Sequence, residues 1–404
     1  MGHAAATAVS ARTRSFLILY AIATAGSVIA YSPFLVLVLP GRVSVLAGGE
    51  DVRWLGLILL AGSIAASIGG VAVGMASDWT RRRRIWIGGG LVATVGLLPV
   101  LGRIDTIALL LVTVMVWQVA LNSILIPLAA WAADRMQPDQ AGRLGGWLAL
   151  APVVGAWSGL LLAGVNGQVA DRLWLVALLA AAMIAPILLS RDGPTASPPP
   201  IAPTHPPVAV ARRMWAARLL VQVAAGGPAS YLVFWLRSVD PKLSGAQVTT
   251  LFALGLTAAA ALAMLLGRSI DRHGRPLRML AATAIVAGAG LAAMAADAGV
   301  IAAVMAYLLF ATASAAFLAL HSGQTLRILP DPRRHGRHIG VFNLTNTLPT
   351  IVVPMLAIGI IPRFGYSGLC LVSAGLCLVA AAILASGTAQ RTRTGTDRRP
   401  GVRA

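Results

Sequence analysis

Apolar positions in this chain fall in long unbroken runs, not in the alternation of a half-buried strand or the single stripe of a surface helix. Twelve such runs can be drawn, at roughly 15–38, 54–74, 84–102, 106–131, 144–165, 173–190, 214–236, 247–266, 279–296, 299–321, 339–360 and 368–386. About 20 residues at 1.5 Å rise cross the ~30 Å hydrocarbon core of a bilayer, so each run predicts a transmembrane helix. In lipid the backbone must satisfy its own hydrogen bonds, which points to helices and not to an open sheet. The first run is too long for the apolar region of a cleaved leader, so no signal peptide is expected.

The runs are interrupted by a repeated polar punctuation. GMASDWTRRRR begins at Gly74, after the second run, and GRSIDRHGRP begins at Gly267, after the eighth. Asp78 and Asp271 stand 193 positions apart. The loops after the fourth and tenth runs hold Arg143 and Arg337, 194 apart. One offset kept across separate motifs predicts a tandem duplication, with two parallel six-helix halves related about the membrane normal. Between them, 191–213 carries seven prolines and no helical period, and it reads as a proline-stiffened, disordered linker. The expected organisation is a segment 1–14, a bundle 15–190, the linker 191–213, a second bundle 214–386 and a basic tail 387–404.

Composition agrees with a lipid environment. Of 404 residues 58% are hydrophobic and 11% charged, against about 25% charged in soluble domains. The net charge of +19 raises the question of nucleic acid, but its distribution answers otherwise. Counted loop by loop, 24 of the 32 basic residues fall on one side of the twelve runs and seven on the other, with Arg218 inside a run. Short Lys/Arg-rich loops stay cytoplasmic. Both termini are therefore expected inside a plasma membrane, with anionic inner-leaflet lipid as partner and no nucleic acid. Cys370 and Cys377 share one run about 10 Å apart along a helix, too far to bridge. The six histidines form no metal-ligand pattern and no phosphate-binding loop follows a strand, so neither an enzyme nor a cofactor or metal is expected.

The repeated motif resembles the signature of the major facilitator superfamily, G-x-x-x-D-R-x-G-R-[KR], found between spans two and three and again between eight and nine. The second copy matches at Gly267, Asp271, Arg272, Gly274 and Arg275, with Pro276 in the last place. The first matches at Gly74, Asp78, Arg82 and Arg83, but has Trp79 for arginine and Arg81 for glycine. The resemblance covers essentially the whole chain. It implies an all-α polytopic protein of twelve transmembrane helices in two pseudo-symmetric bundles, working as a monomeric secondary transporter of a small-molecule substrate. It also implies that the motif is a gating latch, while anchoring of topology by a basic loop is the plainer reading.

Family resemblance places spans one, four, seven and ten around a central cavity, and polar residues within spans generally face a cavity or another helix. Pro33 interrupts span one and Pro228 span seven, 195 apart, each beside an aromatic hydroxyl and a serine: Tyr31 and Ser32, Ser230 and Tyr231. Gln118 and Asn122 share a helix face in span four, Gln222 lies one turn from Arg218 in span seven, and Tyr307 lies in span ten. These are the candidate pathway residues, with interhelical hydrogen bonding as the alternative. For Asn343 and Asn346 packing is favoured. Arg218 reads as a cation snorkelling to the interface, or else as a coupling group. His321 reads as a rim histidine or a proton carrier.

All thirteen carboxylates fall in loops or at span ends, so the buried acids that usually couple transport to protons or sodium are missing. A neutral, hydroxyl- and amide-rich lining favours an uncharged sugar- or glycoside-like solute, and TRRRRIWIGGG resembles a segment of sucrose and glycoside permeases. Alternatively, Gly146, Gly155, Gly159 and Gly164 in span five approximate the glycine pattern of drug/proton antiporters. That pattern would imply efflux of drugs or secondary metabolites. A transporter-shaped sensor without net transport is the alternative of another class.

Overall fold

The computed structural model describes residues 2–133, 148, 150–190, 208–273, 275–296, 298–328 and 335–395, with side chains left undescribed at 2–14, 133, 163, 208–209, 271, 273, 323, 325–328, 335–343 and 387–395. The described residues form helices joined by short turns, with no strand among them. In chain order the helices are α1 (Gly2–Pro33), α2 (Leu39–Leu46), α3 (Asp51–Thr80), α4 (Arg83–Leu101), α5 (Ile107–Ala133), α6 (Ala151–Ala163) and α7 (Val169–Leu188). They continue as α8 (Val208–Ser230), α9 (Leu232–Val239), α10 (Gly245–His273), α11 (Pro276–Ala295), α12 (Val300–Ile328) and α13 (His335–Gly395). Among the described residues nine helices are long and apolar enough to cross a membrane, or ten if α8 and α9 form one bent span.

The remaining expected spans are accounted for by two local features. Gly365, at φ 63°, breaks α13 between the runs 339–360 and 368–386. Glycine meets no Cβ penalty there. The run 144–165 is represented by the short apolar α6, because residues 134–147 lie outside the described residues. Of the expected linker 191–213, residues 191–207 lie outside them too, whereas 208–213 are helical and open α8.

Helix ends follow local chemistry. Gly48 and Gly49, both at positive φ, turn the chain into α3, whose first turn carries Asp51 near the positive end of the helix dipole. Pro276 starts α11 at the position where its missing N–H costs nothing.

Both proline interruptions are realised. Pro33 cannot donate a backbone bond, and the next five residues, Phe34–Val38, widen into a π-helical turn before α2. After Pro228 the helix breaks at Tyr231, and α9 departs at 59° from α8.

The chain divides into two compact units. The first takes in Met1–Pro200 together with Ala229–Ala253 and Pro354–Pro362, so α9 and a short stretch of α13 belong to it. Within it α5 packs on α3 and α4, and α1 packs on α6 and α7. Its interior is tied by aromatic pairs, with Trp117 edge-on to Phe34 at 4.9 Å and Trp131 edge-on to Phe16 at 5.3 Å. The second unit comprises Ile201–Pro228, Leu254–Val353 and Arg363–Ala404. Its core joins Met214 and Val221 of α8 to Leu280 of α11, Phe317 of α12 and Leu384 of α13.

Candidate functional site

Many described polar residues within the spans bond to their own helix, and one group converges from three helices of the second unit. Arg218 and Gln222 lie one turn apart on α8 and so share a face. His321 and Ser322 come from α12, and Thr345 and Asn346 from α13. The Arg218 Nε donates to Thr345 Oγ1 at 3.1 Å. Nη1 donates to Ser322 Oγ at 2.8 Å and lies 3.4 Å from His321 Nδ1. Nη2 donates to Asn346 Oδ1 at 3.3 Å, and Gln222 Nε2 donates to the same oxygen at 2.6 Å. The guanidinium is held by side chains of two other helices. It is turned onto side chains 103 to 128 positions away in sequence.

His321 and Thr345 are fully buried, whereas Ser322 and Asn346 are exposed. The His321 Nε2 lies 2.8 Å from the Met214 carbonyl oxygen, which can only accept, so Nε2 carries a proton. In the neutral ring Nδ1 is then the acceptor facing Arg218. A second proton there would point an N–H at a guanidinium N–H. The arrangement suits a neutral imidazole that positions the arginine. Among the described residues no carboxylate pairs with Arg218.

The other pathway candidates lie apart from this cluster. Gln118 and Asn122 sit on the face of α5 that meets the glycine side of α3. A Cβ built on Gly62 would be 3.5 Å from Gln118 Cγ, and one on Gly70 would be 3.6 Å from Asn122 Oδ1. Asn122 Nδ2 also bonds back to the Gln118 carbonyl at 2.8 Å. Tyr31 packs against Ala25, Val28 and Ala151. Tyr231 is 1% exposed beside Phe234, and Tyr307 is 2% exposed beside Phe310. Ser230 is half-buried at the end of α8. Ser32 is buried and borders a small apolar crevice with Pro33, Gly155, Gly159 and Thr249. Gly155 and Gly159 serve close packing, since a Cβ on Gly155 would fall 2.6 Å from Val28 Cγ1 of α1.

The first motif copy is visible in atomic detail. Arg83 Nη1 binds Asp78 Oδ1 and donates to Ser77 Oγ at 3.1 Å. Arg81, which stands where the motif has glycine, caps α3 at φ 53°, and it is the one non-glycine residue at positive φ among the described residues. The local geometry the glycine serves is thus retained without the glycine. A left-handed conformation costs an L-residue about 1–2 kcal/mol. Arg81→Gly is accordingly expected to stabilise the protein by roughly 1 kcal/mol, part of the gain being lost to unfolded-state entropy. Thermal unfolding in detergent reads this out, and a lower midpoint would contradict it. Trp79, in place of the motif arginine, is 88% exposed. In the second copy, Gly274 and the side chain of Asp271 lie outside the described residues. Arg272 and Arg275 are exposed, and Gly267 lies within α10.

Nine or ten apolar helices of membrane-crossing length among the described residues, with no strand, define a polytopic integral membrane protein. Residues 214–403 match the family model of the Major Facilitator Superfamily. No curated protein matches the sequence. Among solved structures, the human organic anion transporter MFSD10 (TETRAN) superposes with a TM-score of 0.69 at 17% identity, over 92% of this chain and 99% of that one. A bacterial homologue of the human lysosomal transporter Spinster, inward-facing and occupied, gives 0.68 at 16% identity over 96% and 99%. The nucleoside transporter NupG gives 0.65 at 13% identity over 92% and 98%. The chain has the fold of these transporters, and its second half, residues 214–403, is similar to the Major Facilitator Superfamily.

Proposed function

We propose that this protein is a major facilitator transporter that moves a small polar, hydroxyl-bearing organic solute by alternating access of its two halves, with Arg218, Gln222, Ser322 and Asn346 contributing to the solute site. The convergence of these side chains from α8, α12 and α13 carries the reading, because it gathers hydrogen-bonding groups where lone polar residues in lipid are costly. A sugar- or glycoside-like solute fits the hydroxyl and amide partners. The expectation of a neutral solute rested on an uncharged lining, and Arg218 within the cluster removes that ground. Efflux of drugs is the competing reading. It draws on span five, where the packing of Gly155 and Gly159 against neighbours gives those glycines a structural role instead.

Uptake into proteoliposomes of labelled sugars and hydrophobic drugs, with and without a protonophore, separates the two. Sugar entry unaffected by the protonophore supports the first reading, and protonophore-sensitive drug movement supports the second. The Asp78–Arg83 pair is proposed to act as part of a gate that forms in one conformation of the cycle. Asp78 is largely exposed, so the pair is worth about 1 kcal/mol or less. Asp78→Asn should slow turnover by up to about fivefold while leaving membrane insertion and thermal stability intact. Unchanged turnover would reduce the motif to a topology anchor.

A further inference from the structure

We infer that the Arg218 cluster binds a carboxylate, so that the transported solute is a small hydroxylated organic acid anion. This rests on the transport reading above and deepens it.

Of the 32 basic residues, Arg218 is the one placed inside an apolar run, eight residues from the first residue of the span Val210–Ser230. Its described acceptors are Thr345 Oγ1, Ser322 Oγ, His321 Nδ1 and Asn346 Oδ1. All four are neutral. They orient the half-buried guanidinium without cancelling its charge, and partial desolvation of an uncompensated charge is costly. A residue needed only to tie three helices together would be served by an amide, or by an arginine paired with an aspartate. The sequence places no acid inside any span.

The geometry of the cluster also has a direction. The Nε edge is anchored on Thr345, which is fully buried. The two terminal nitrogens point toward the exposed residues Ser322 and Asn346. That Nη1–Nη2 edge is the fork that matches the two oxygens of a carboxylate. Four of the five guanidinium N–H groups meet acceptors within the cluster, and the contacts to Asn346 at 3.3 Å and His321 at 3.4 Å are long. A carboxylate at that edge needs one N–H of each terminal nitrogen, which the uncommitted N–H of Nη2 and release of the long His321 contact at Nη1 supply. Gln222, Asn346 and Ser322 then stand beside it as partners for hydroxyl groups. Neutral His321, its Nε2–H committed to the Met214 carbonyl, keeps the arginine facing outward.

The test uses the full chain in detergent, with thermal unfolding followed in D-glucuronate, D-glucose and sodium chloride at matched ionic strength. Glucuronate should raise the midpoint of the wild type, with glucose and chloride leaving it unchanged. Arg218→Gln should lose the shift. Arg218→Lys, which keeps the charge but not the fork, should weaken binding at least tenfold. Asn346→Asp supplies an internal carboxylate, and it should hold or raise the basal midpoint while abolishing the response to glucuronate. That last variant separates a bound anion from a merely structural arginine. A glucuronate shift of equal size in Arg218→Gln or Asn346→Asp overturns the inference. So does an Arg218-dependent shift produced by phosphatidylglycerol with none from glucuronate, which would assign the cluster to lipid. A wild-type shift with glucose alone overturns the anion inference and leaves transport of a neutral sugar standing. If glucuronate gives no shift, the inference falls whatever the uptake panel shows.

Discussion

Leucine at Gly290 should prevent recovery of folded protein, and alanine there should lower the thermal midpoint clearly. Gly290 lies on α11 where it meets α12, and a Cβ built on it falls 2.7 Å from the backbone nitrogen of Phe310 and 2.9 Å from its Cα. No side-chain rotation relieves a clash with backbone, so the two helices must separate. Overpacking of this kind costs about 1–3 kcal/mol for a small insertion and more when backbone must move. Gly96 of α4 is the control, because nothing lies within 4 Å of its added Cβ. Alanine at Gly96 should be neutral or stabilising by up to about 1 kcal/mol, the usual helix-propensity gain over glycine. Size-exclusion recovery and unfolding midpoints of the two alanine variants, side by side, check the contrast. Equal behaviour would mean that α11 and α12 do not approach through Gly290.

Trp117→Ala should be the most destabilising single truncation in the first unit, at roughly 3–5 kcal/mol. Trp117 is fully buried on α5 and meets Phe34 edge-on, with ring planes 67° apart. Phe34 opens the π-helical turn after Pro33, so the indole packs against the one place where α1 departs from regular geometry. Removing it leaves a cavity beside a helix already interrupted by proline. Phenylalanine should recover most of the loss by keeping the edge-to-face contact. The check is the unfolding midpoint of each variant in the same detergent. A Trp117→Ala protein as stable as the wild type would show that the π turn holds without its aromatic cover.

The candidate site was legible only in pieces. Arg218 and Gln222 announce themselves as polar residues one turn apart in a greasy run, and His321 as the histidine near the end of another. Nothing in their spacing says that all three meet. Thr345 and Ser322 give no signal, since hydroxyls in apolar helices usually bond to their own backbone, as Ser322 also does to the Leu318 carbonyl at 2.8 Å. Asn346 reads as a packing residue, yet it accepts from both Gln222 and Arg218. Conversely, Gln118 and Asn122 share a face as their spacing requires. Which way that face points was decided by the glycines of α3.

The amino-acid order alone determined that this is a chain of membrane-crossing helices, where the spans lie, that Pro33 and Pro228 disturb two of them, and that a polar motif recurs at a constant offset. Those features are local: hydrocarbon thickness sets the run length, and each backbone bond of a helix closes within four residues. The tertiary structure decided the rotation of each helix about its axis. That rotation set Gly290 against the backbone of Phe310, left Gly96 clear, and brought Arg218 to Thr345 and Asn346. The reason is that helix rotation is set by how small and large residues of distant segments interlock, and no stretch of sequence contains both sides of such a contact.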